Sequence, residues 1–279
     1  ANRKKIAVTT SDGTTQCYVE IEKWNDASEQ AWLWVKVPSI SSTSDTDLYL
    51  YYDNDHANNT DYVGDPNSTP AENVWDINFK GVWHMTEVNA TDSTSNNNDG
   101  TESGGVTYTD SGKIDGADNF DGNDDYIQTT SNELKTLDNF TLSVWFKTDS
   151  TTAPRHILWE GPASQNGWGD GSGNPNSHEM HLTVCKFDAN NTLNFFYGYE
   201  ESGGVWAPAV EIIMSFSDTT NWNHAVVVMT GAGTSPSAEL FLNGVSQGTD
   251  TGTQTNRTAW DTNLRIGRPG ANQRYFDGM

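Results

Sequence analysis

The sequence predicts an all-β protein in which a small antiparallel β unit precedes a larger two-sheet sandwich. Three observations lead to this fold class. Short segments of alternating apolar and polar residues recur along the chain, as expected for half-buried strands. Turn-forming Gly, Ser, Thr, Asn and Asp separate these segments. The 11 Trp, 10 Tyr and 10 Phe provide core area even though only 34% of the residues are hydrophobic.

The first unit, residues 1–74, is predicted to be a small meander of antiparallel strands followed by a linker. Alternating side chains predict strands at residues 6–10, 16–24, 31–37 and 47–52. Residues 53–74 are polar and include Pro66 and Pro70, so we expect them to form a linker on the surface.

The second unit, residues 75–279, is predicted to be a jelly roll built from two sheets, because it has many short strands and no long helical period. Asn243-Gly244 indicates a type I′ hairpin turn between two of these strands. The strands are expected at residues 81–85, 107–108, 117–120, 126–129, 140–148, 156–160, 179–187, 192–199, 210–215, 223–230, 238–242, 245–249 and 264–267.

The net charge of the chain indicates which kinds of ligand it is expected to bind. The formal net charge is −23 and the pI is about 4.3, which disfavours binding to nucleic acid and favours cations such as Ca²⁺. No apolar run approaches the roughly 20 residues of a membrane-spanning helix, so no membrane insertion is expected. Cys17 and Cys185 lie one in each unit, and free buried thiols are favoured over a disulfide.

Several motifs in the second unit resemble a known family. FKGVWHM (79–85), DSTSNNNDGT (92–101), GKIDGADNFDGNDDYIQTT (112–130) and FTLSVWFKT (140–148), in this order, resemble the opening of a bacterial or archaeal laminin-G-like domain of the concanavalin A-like jelly-roll group. NWNHAVVVMTG (221–231), AELFLNGVSQG (238–248), NLRIGRPG (263–270) and YFDGM (275–279) resemble its later segments. The resemblance implies a concanavalin A-like jelly-roll sandwich whose last strand would follow Met279 and is expected to be missing.

The first unit also resembles a known domain. TTSDGTTQCYVEIEKWN (9–25), AWLWVKVPSISS (31–42) and DTDLYLYYDN (45–54) are similar to a small β domain of unknown function. That domain often directly precedes laminin-G-like domains in large surface and phage-like proteins. ANRKKIAVTT (1–10) corresponds to its middle, so we expect the unit to be truncated at its N-terminus.

Oxygen-rich turns suggest a structural calcium ion. Carboxylates and amides are the ligands that Ca²⁺ prefers, and the turns supply Asp92, Asn98, Asp121 and Asp277. Laminin-G-like domains often hold a calcium ion on the rim of the sandwich, and the resemblance places Asp92, Asn98 and Asp277 in the segments that would approach it. The alternative is that Asp, Asn and Gly simply form turns.

Aromatic residues in polar loops suggest a sugar-binding surface. The long loop 160–178 carries Trp168 among polar residues that include Asn166 and Asp170. Tyr199, Trp206 and Trp260 lie in or beside other loops and are further candidates for stacking on a sugar. The alternative is that these rings cover sheet edges. Three other tryptophans are expected in the core: Trp145, Trp159 and Trp222.

Catalytic motifs are absent from the sequence. It contains no HExxH, G-x-S-x-G, P-loop or G-x-G-x-x-G, and His178 and His181 do not have metalloprotease spacing. Retaining glucanases of the same jelly-roll group carry an E-x-D-x-x-E strand, so that two carboxylates stand close enough for catalysis. Here only Glu20 and Glu22 approach that pattern, and they lie in the small unit.

Together these features predict a noncatalytic extracellular carbohydrate-binding or adhesive module of a larger surface protein. The expected partner is a glycan or a cell-surface polysaccharide, and the expected location is outside the cell, on its surface or on a virion. Two alternatives remain. One is a structural subunit of a filament or virion, which could self-assemble through open sheet edges. The other is a polysaccharide-active enzyme on the same fold.

Overall fold

β-Strands are the main secondary structure of the protein. The computed structural model describes residues 2–86, 90–131, 134–161, 179–186, 189–202, 205–253, 260, 262–269 and 274–279, excluding the side chains of 199–202 and 205–208. Strands dominate these residues, which confirms the predicted all-β class. Both cysteines are free and buried, as expected. No helix in the described part of the chain is long and apolar enough to span a bilayer.

The small N-terminal unit contains two three-stranded sheets, ordered β2-β1-β5 and β4-β3-β6. Its elements are β1 (Ile6–Thr10), β2 (Gln16–Cys17), β3 (Val19–Asn25), β4 (Gln30–Val35), β5 (Leu48–Tyr52), β6 (Val63–Gly64) and α1 (Thr69–Glu72). A compact cluster of buried side chains holds the two sheets together: Ile6, Val8, Cys17, Val19, Ile21 and Val63.

The expectation of a surface linker at residues 53–74 is wrong for part of that segment. Val63 is buried in the core of the small unit, and β6 pairs in parallel with β3 through Val19 and Val63. The helix α1 follows and buries Pro70 and Ala71. Two adjacent apolar residues, Tyr62 and Val63, in a polar run give no alternating signal, so alternation could not show this strand or its parallel pairing.

Within its described residues, the large unit contains three sheets. Their orders are β15-β14-β13-β12-β19-β10-β7, β11-β16-β17-β18 and β20-β9-β8. The strands are β7 (Gly100–Ser103), β8 (Thr107–Thr109), β9 (Ala117–Asp121), β10 (Tyr126–Thr129), β11 (Phe140–Phe146), β12 (Arg155–Glu160), β13 (Met180–Lys186), β14 (Ala189–Ser202), β15 (Val205–Ser215), β16 (Asn223–Thr230), β17 (Ser237–Leu242), β18 (Val245–Thr251), β19 (Arg265–Ile266) and β20 (Asp277–Gly278), with a 3₁₀ turn at Leu134–Thr136.

The core of the large unit lies between the seven-stranded and four-stranded sheets. Alternate residues of β13 and β14, such as Leu182 and Phe195, face this core from one side. Val227 and Leu240 face it from β16 and β17 on the other side. The strand period of two therefore directs the intervening residues of each strand to the outer faces of the sandwich.

Two local expectations in the large unit are wrong. Residues 81–85 form no strand and make one isolated bridge between Trp83 and Asp92. In place of a ladder, the Val82 N–H donates to the Asp92 carboxylate and the Trp83 indole N–H donates to the Asn98 carbonyl. Trp145 is 37% exposed and not in the core. Phe140, Leu142, Val144 and Phe146 take the inward positions of β11, so the alternation directs Trp145 outward, where it stacks on His224.

The other two tryptophans expected in the core differ from each other. Trp159 is fully buried, although it lies on the face of its sheet away from the sandwich core. Trp222 precedes β16 and is half-buried.

Candidate functional site

The seven-stranded sheet carries a polar face on the side away from the core. Strand register aligns Trp159 with His181, and His181 with Phe196, on neighbouring strands. A second row aligns His156 with Thr183, and Thr183 with Asn194. The strands β12, β13 and β14 are therefore buried on both faces, apolar on one and largely polar on the other.

A pocket opens on this polar face. Four of the side chains that line it are buried and contain atoms with no hydrogen-bond partner among the described residues: both ring nitrogens of His156, Nδ1 of His181, Oγ1 of Thr183 and Oδ1 of Asn194. Buried polar groups are normally paired, so four such side chains in one pocket require explanation. The described lining residues are Pro154, His156, His181, Thr183, Cys185, Lys186, Asn194, Glu211 and Arg274.

The charged groups of the pocket are held in fixed positions. Lys186 Nζ donates to Glu211 Oε2 at 3.1 Å, and Asn194 Nδ2 donates to Glu211 Oε1 at 2.8 Å. Burial lowers the pKa of His156 well below its usual range, and the nearby His181 and Arg274 lower it further. His156 is therefore a neutral imidazole at pH 7, with one nitrogen that donates and one that accepts.

The floor beside the pocket is rigid. His181 stacks on Phe196 with ring centroids 4.7 Å apart, and its Nδ1 lies 3.4 Å from Glu179 Oε1 without hydrogen-bond geometry. Trp159 Nε1 donates to Glu179 Oε2 at 3.2 Å, and the Arg265 guanidinium lies 5.5 Å from the Trp159 ring centroid. These contacts hold His181 in one orientation at the pocket wall.

The structure describes only some of the predicted sugar-binding residues. Trp168, Asn166 and Asp170 lie outside the described residues. Tyr199 and Trp206 lie on the paired strands β14 and β15, and their side chains are not among those described.

Trp260 does not present its ring to a ligand. It is 1% exposed, belongs to the main core and packs edge-on against Tyr197 with ring centroids 5.8 Å apart. Its predicted binding role is therefore corrected to a role in the core. A polar loop position close in sequence to β19 gave no indication of this burial.

Sequence reasoning missed the pocket residues His156, Thr183 and Asn194. The available signal was polar residues at alternate positions in otherwise apolar strands, as in MHLTVCK and TLNFFY. Such alternation usually marks a solvent-facing side of a sheet. Only the paired strands show that these positions are buried and converge.

The predicted calcium ligand Asp92 is occupied within its own loop. Its Oδ1 accepts from the backbone N–H groups of Val82 and Thr94, and its Oδ2 accepts from Thr94 Oγ1 and the N–H of Asn98. All four hydrogen bonds are 2.8–3.0 Å long. Asp92 therefore organises the loop, and its prediction as a calcium ligand is corrected. Asn98 Nδ2 donates to the Lys80 carbonyl at 2.7 Å, and its role as a ligand stays a prediction.

Asp121 lies in the one acidic cluster with metal-ligand spacing found among the described residues. Carboxylate oxygens of Asp121, Asp124 and Asp125 lie within 4.8 Å of one another. Hydrogen bonds from the side chain and backbone of Asn123 lower the pKa of Asp121, whereas burial raises that of Asp125.

Asp277 pairs with Asp121 across β20 and β9 but already has a cationic neighbour. Arg155 Nη2 lies 3.5 Å from Asp277 Oδ2, and Arg155 Nη1 donates to the Gly122 carbonyl at 3.0 Å. The guanidinium is thus a charge partner of Asp277, and the role of Asp277 as a calcium ligand stays a prediction.

Glu20 and Glu22, which approach a glucanase pattern in sequence, enclose a histidine. His84 Nε2 lies 3.2 Å from Glu20 Oε2, and His84 Nδ1 lies 3.8 Å from Glu22 Oε2. Trp75 and Trp34 donate indole N–H groups to Glu20 and Glu22 respectively. Burial raises the pKa of Glu22, partly offset by His84 and Trp34. The cluster joins the small unit to the segment that leads into the large one.

Comparisons with known proteins address the fold. No curated protein matches the chain. Domain 4 of AbnA, an extracellular GH43 arabinanase from Geobacillus stearothermophilus solved with arabinotriose, is 21% identical over 67% of this chain and 82% of that one, with a TM-score of 0.48. The CBM40 of the Ruminococcus gnavus IT-sialidase, bound to α2,3 sialyllactose, is 17% identical over 64% of this chain and 84% of that one, with a TM-score of 0.39.

Family models match both parts of the sequence. A domain of unknown function, DUF2341, matches residues 2–80. The laminin-G-type model described as the concanavalin A-like lectin/glucanases superfamily matches residues 121–279. Both matches confirm the resemblances drawn from the motifs. Because the second match spans more than half of the 279 residues, the chain belongs to the concanavalin A-like lectin/glucanases superfamily.

Proposed function

We propose that the chain is a noncatalytic glycan-binding module whose site is the polar pocket on the seven-stranded sheet. One observation carries the proposal: His156, Thr183 and Asn194 are buried, contain polar atoms that no described residue pairs with, and line the same pocket. Leaving a buried polar group unpaired costs about 1–3 kcal/mol. The enclosed space beside these groups has room for about one water-sized group, so a single sugar hydroxyl that reaches in from the surface would pair with them and recover this cost on binding.

The chemistry of the pocket suits a sugar. A sugar hydroxyl both donates and accepts, and the pocket offers a hydroxyl, a neutral imidazole and an amide oxygen in fixed positions. Lys186 and Glu211 add a donor and an acceptor at its edge. The superfamily includes lectins, which supports the same class of ligand.

The arrangement of carboxylates favours binding over hydrolysis. Glycoside hydrolysis generally uses two carboxyl groups, about 5 Å apart in retaining enzymes and further apart in inverting ones. Among the described lining residues Glu211 is the single carboxylate, and Lys186 and Asn194 already engage both of its oxygens. Glu20 and Glu22 are buried around His84 in the small unit.

The proposal also covers the setting of the module. A polysaccharide ligand and a net charge of −23 suit a position outside the cell, on its surface or on a virion, as an adhesive part of a larger protein. A structural calcium ion bound by the turn that contains Asp121, Asp124 and Asp125 is part of this proposal.

A glycan array tests the function directly. The protein is probed with calcium and with EDTA, and each hit is titrated by calorimetry against the wild type and Thr183→Val. We expect binding to at least one glycan and a loss of affinity in the variant. Binding that Thr183→Val leaves unchanged would place the site elsewhere. Release of reducing ends from laminarin, alginate, carrageenan or xylan would favour the enzyme alternative.

A further inference from the structure

The strand β5 in the small unit leaves a sheet edge and an apolar surface uncovered. It lies at the end of the sheet ordered β2-β1-β5, and no described strand pairs with its outer edge. All five of its residues, sequence LYLYY, are exposed. Natural proteins usually shorten, cover or charge such edges because they readily accept another strand.

The outer edge of β5 presents backbone groups in a regular pattern. The N–H of Asp53 donates to the Lys5 carbonyl, and the register continues with Tyr51 opposite Ala7. Antiparallel pairs alternate between residues that face the partner strand and residues that face away. The N–H and C=O groups of Leu48, Leu50 and Tyr52 therefore face outward.

Leu50 and Tyr52 lie on the same face of the sheet as the apolar core of the small unit, but they are exposed to solvent. Leu50 pairs with Val8 and Tyr52 pairs with Ile6, so their side chains share the face of these buried residues. Val8 and Ile6 are buried, whereas Leu50 is 56% exposed and Tyr52 is 83% exposed. An added strand would gain both backbone hydrogen bonds and apolar contacts.

The charges at the ends of β5 identify the kind of strand that fits. Asp47 precedes β5 and Asp53 follows it, with Asp45 and Asp55 just beyond, and all four are exposed. In a symmetric antiparallel pair centred on Leu50, Asp47 of each copy would oppose Asp53 of the other. Like charges directly opposite each other destabilise a strand pair, and a net charge of −23 on each copy adds repulsion.

We propose that β5 is a docking edge for an extended segment of a partner protein, antiparallel to β5, with apolar residues at alternate positions and Lys or Arg at both ends. The alternate apolar residues lie opposite Leu48, Leu50 and Tyr52. The basic ends lie beside Asp53 and Asp47. This interaction surface is separate from the glycan pocket and independent of it.

A synthetic peptide of sequence Lys-Val-Thr-Val-Thr-Val-Lys tests the proposal against the full chain. Its binding is measured by fluorescence anisotropy at low and high salt, and its position by ¹⁵N-resolved NMR. We expect saturable binding that shifts the amide signals of Leu48, Leu50 and Tyr52. We also expect binding weaker by about tenfold when Glu replaces both terminal Lys residues, because each basic end loses an opposite charge.

Matched variants separate docking from folding. Leu50→Pro removes an outward N–H that β1 does not use, and proline is tolerated on an edge strand in that position. It should weaken peptide binding at least about tenfold. Tyr49→Thr changes the other face, keeps a strand-forming residue and should leave binding nearly unchanged. Leu50→Lys with Tyr52→Lys provides a second loss-of-binding variant with an intact backbone.

Three results would overturn the proposal. The first is no binding of the basic peptide at millimolar concentration to a protein whose melting curve is normal. The second is equal binding of the Lys-ended and Glu-ended peptides. The third is a concentration-dependent dimer in analytical ultracentrifugation that Leu50→Pro abolishes, which would assign the edge to a second copy of the chain.

Discussion

Replacing Thr183 by valine tests the pocket without any knowledge of the ligand. Thr183 is buried, its Oγ1 has no hydrogen-bond partner among the described residues, and it lies mid-strand in β13. Valine has nearly the same shape and favours strands. We expect Thr183→Val to keep the fold, to raise the stability of the unliganded protein and to weaken glycan binding.

The burial of the Thr183 hydroxyl determines how large the changes in stability and affinity should be. A buried, unpaired hydroxyl costs about 1–3 kcal/mol, so its removal should stabilise the free protein by about 1 kcal/mol. For a domain of this size that corresponds to a rise in melting temperature of about 2–4 °C. A lost hydrogen bond of about 0.5–1.5 kcal/mol predicts glycan affinity lower by roughly twofold to tenfold.

Thr129→Val provides the matched control. Thr129 is also buried in a strand, but its Oγ1 donates to the Leu264 carbonyl at 3.1 Å and accepts from the Ser131 N–H at 3.2 Å. We expect this variant to lose about 1–2 kcal/mol of stability while the folded protein keeps its glycan affinity.

Thermal and urea unfolding of the wild type and both variants test the predicted changes in stability. The prediction requires opposite signs for the two substitutions. A fall in stability for Thr183→Val as large as that for Thr129→Val would show that the hydroxyl of Thr183 is paired in the free protein. The pocket would then lose the observation on which its assignment rests.

Three further predictions concern other sites. Burial, and then the charge of Glu102, raises the pKa of Asp118 to about 7. The folded chain therefore holds a proton that the unfolded chain releases near pH 4, so stability should fall as the pH rises from about 4 to 7, by at most about 4 kcal/mol. Asp118→Asn should flatten that part of the pH–stability profile, and an unchanged profile would contradict the assignment. Millimolar calcium should raise the melting temperature relative to EDTA, and Asp121→Asn should abolish the rise; equal melting temperatures in calcium and EDTA would rule out the ion. Trp168→Ala should weaken glycan binding severalfold with little change in the melting curve, and global unfolding of this variant would instead assign the ring to the core.

Local patterns in the sequence were sufficient for much of the fold. Alternation predicted β10 and β16 with the bounds that the structure has, and the Asn243-Gly244 turn joins β17 to β18 as expected. Missed elements such as β6 and β20 are two residues long, too short to show a period. Residue type alone did not predict the burial of Trp145. This aromatic residue was expected in the core, but it occupies an outward position of β11.

The calcium prediction shows why residue type does not settle function. Asp92, Asp121 and Asp277 all lie in oxygen-rich turns and are equivalent in sequence. In the structure, Asp92 is saturated by donors from its own loop, Asp277 faces Arg155, and Asp121 alone joins an acidic cluster. Whether a carboxylate has oxygens available to bind a metal ion depends on its neighbours in space. Sequence position does not show these neighbours, because Arg155 is distant from Asp277 along the chain.

The sequence by itself determined the all-β class, the two family resemblances and the acidic surface, because strand alternation, turn residues and net charge are local or additive properties. Tertiary structure alone decided where the candidate site lies. His156, Thr183 and Asn194 come from three strands, and only the register of β12, β13 and β14 places them side by side. Burial of both faces of these strands then leaves ordinary polar residues without partners among the described residues of one pocket, a property that no single segment contains.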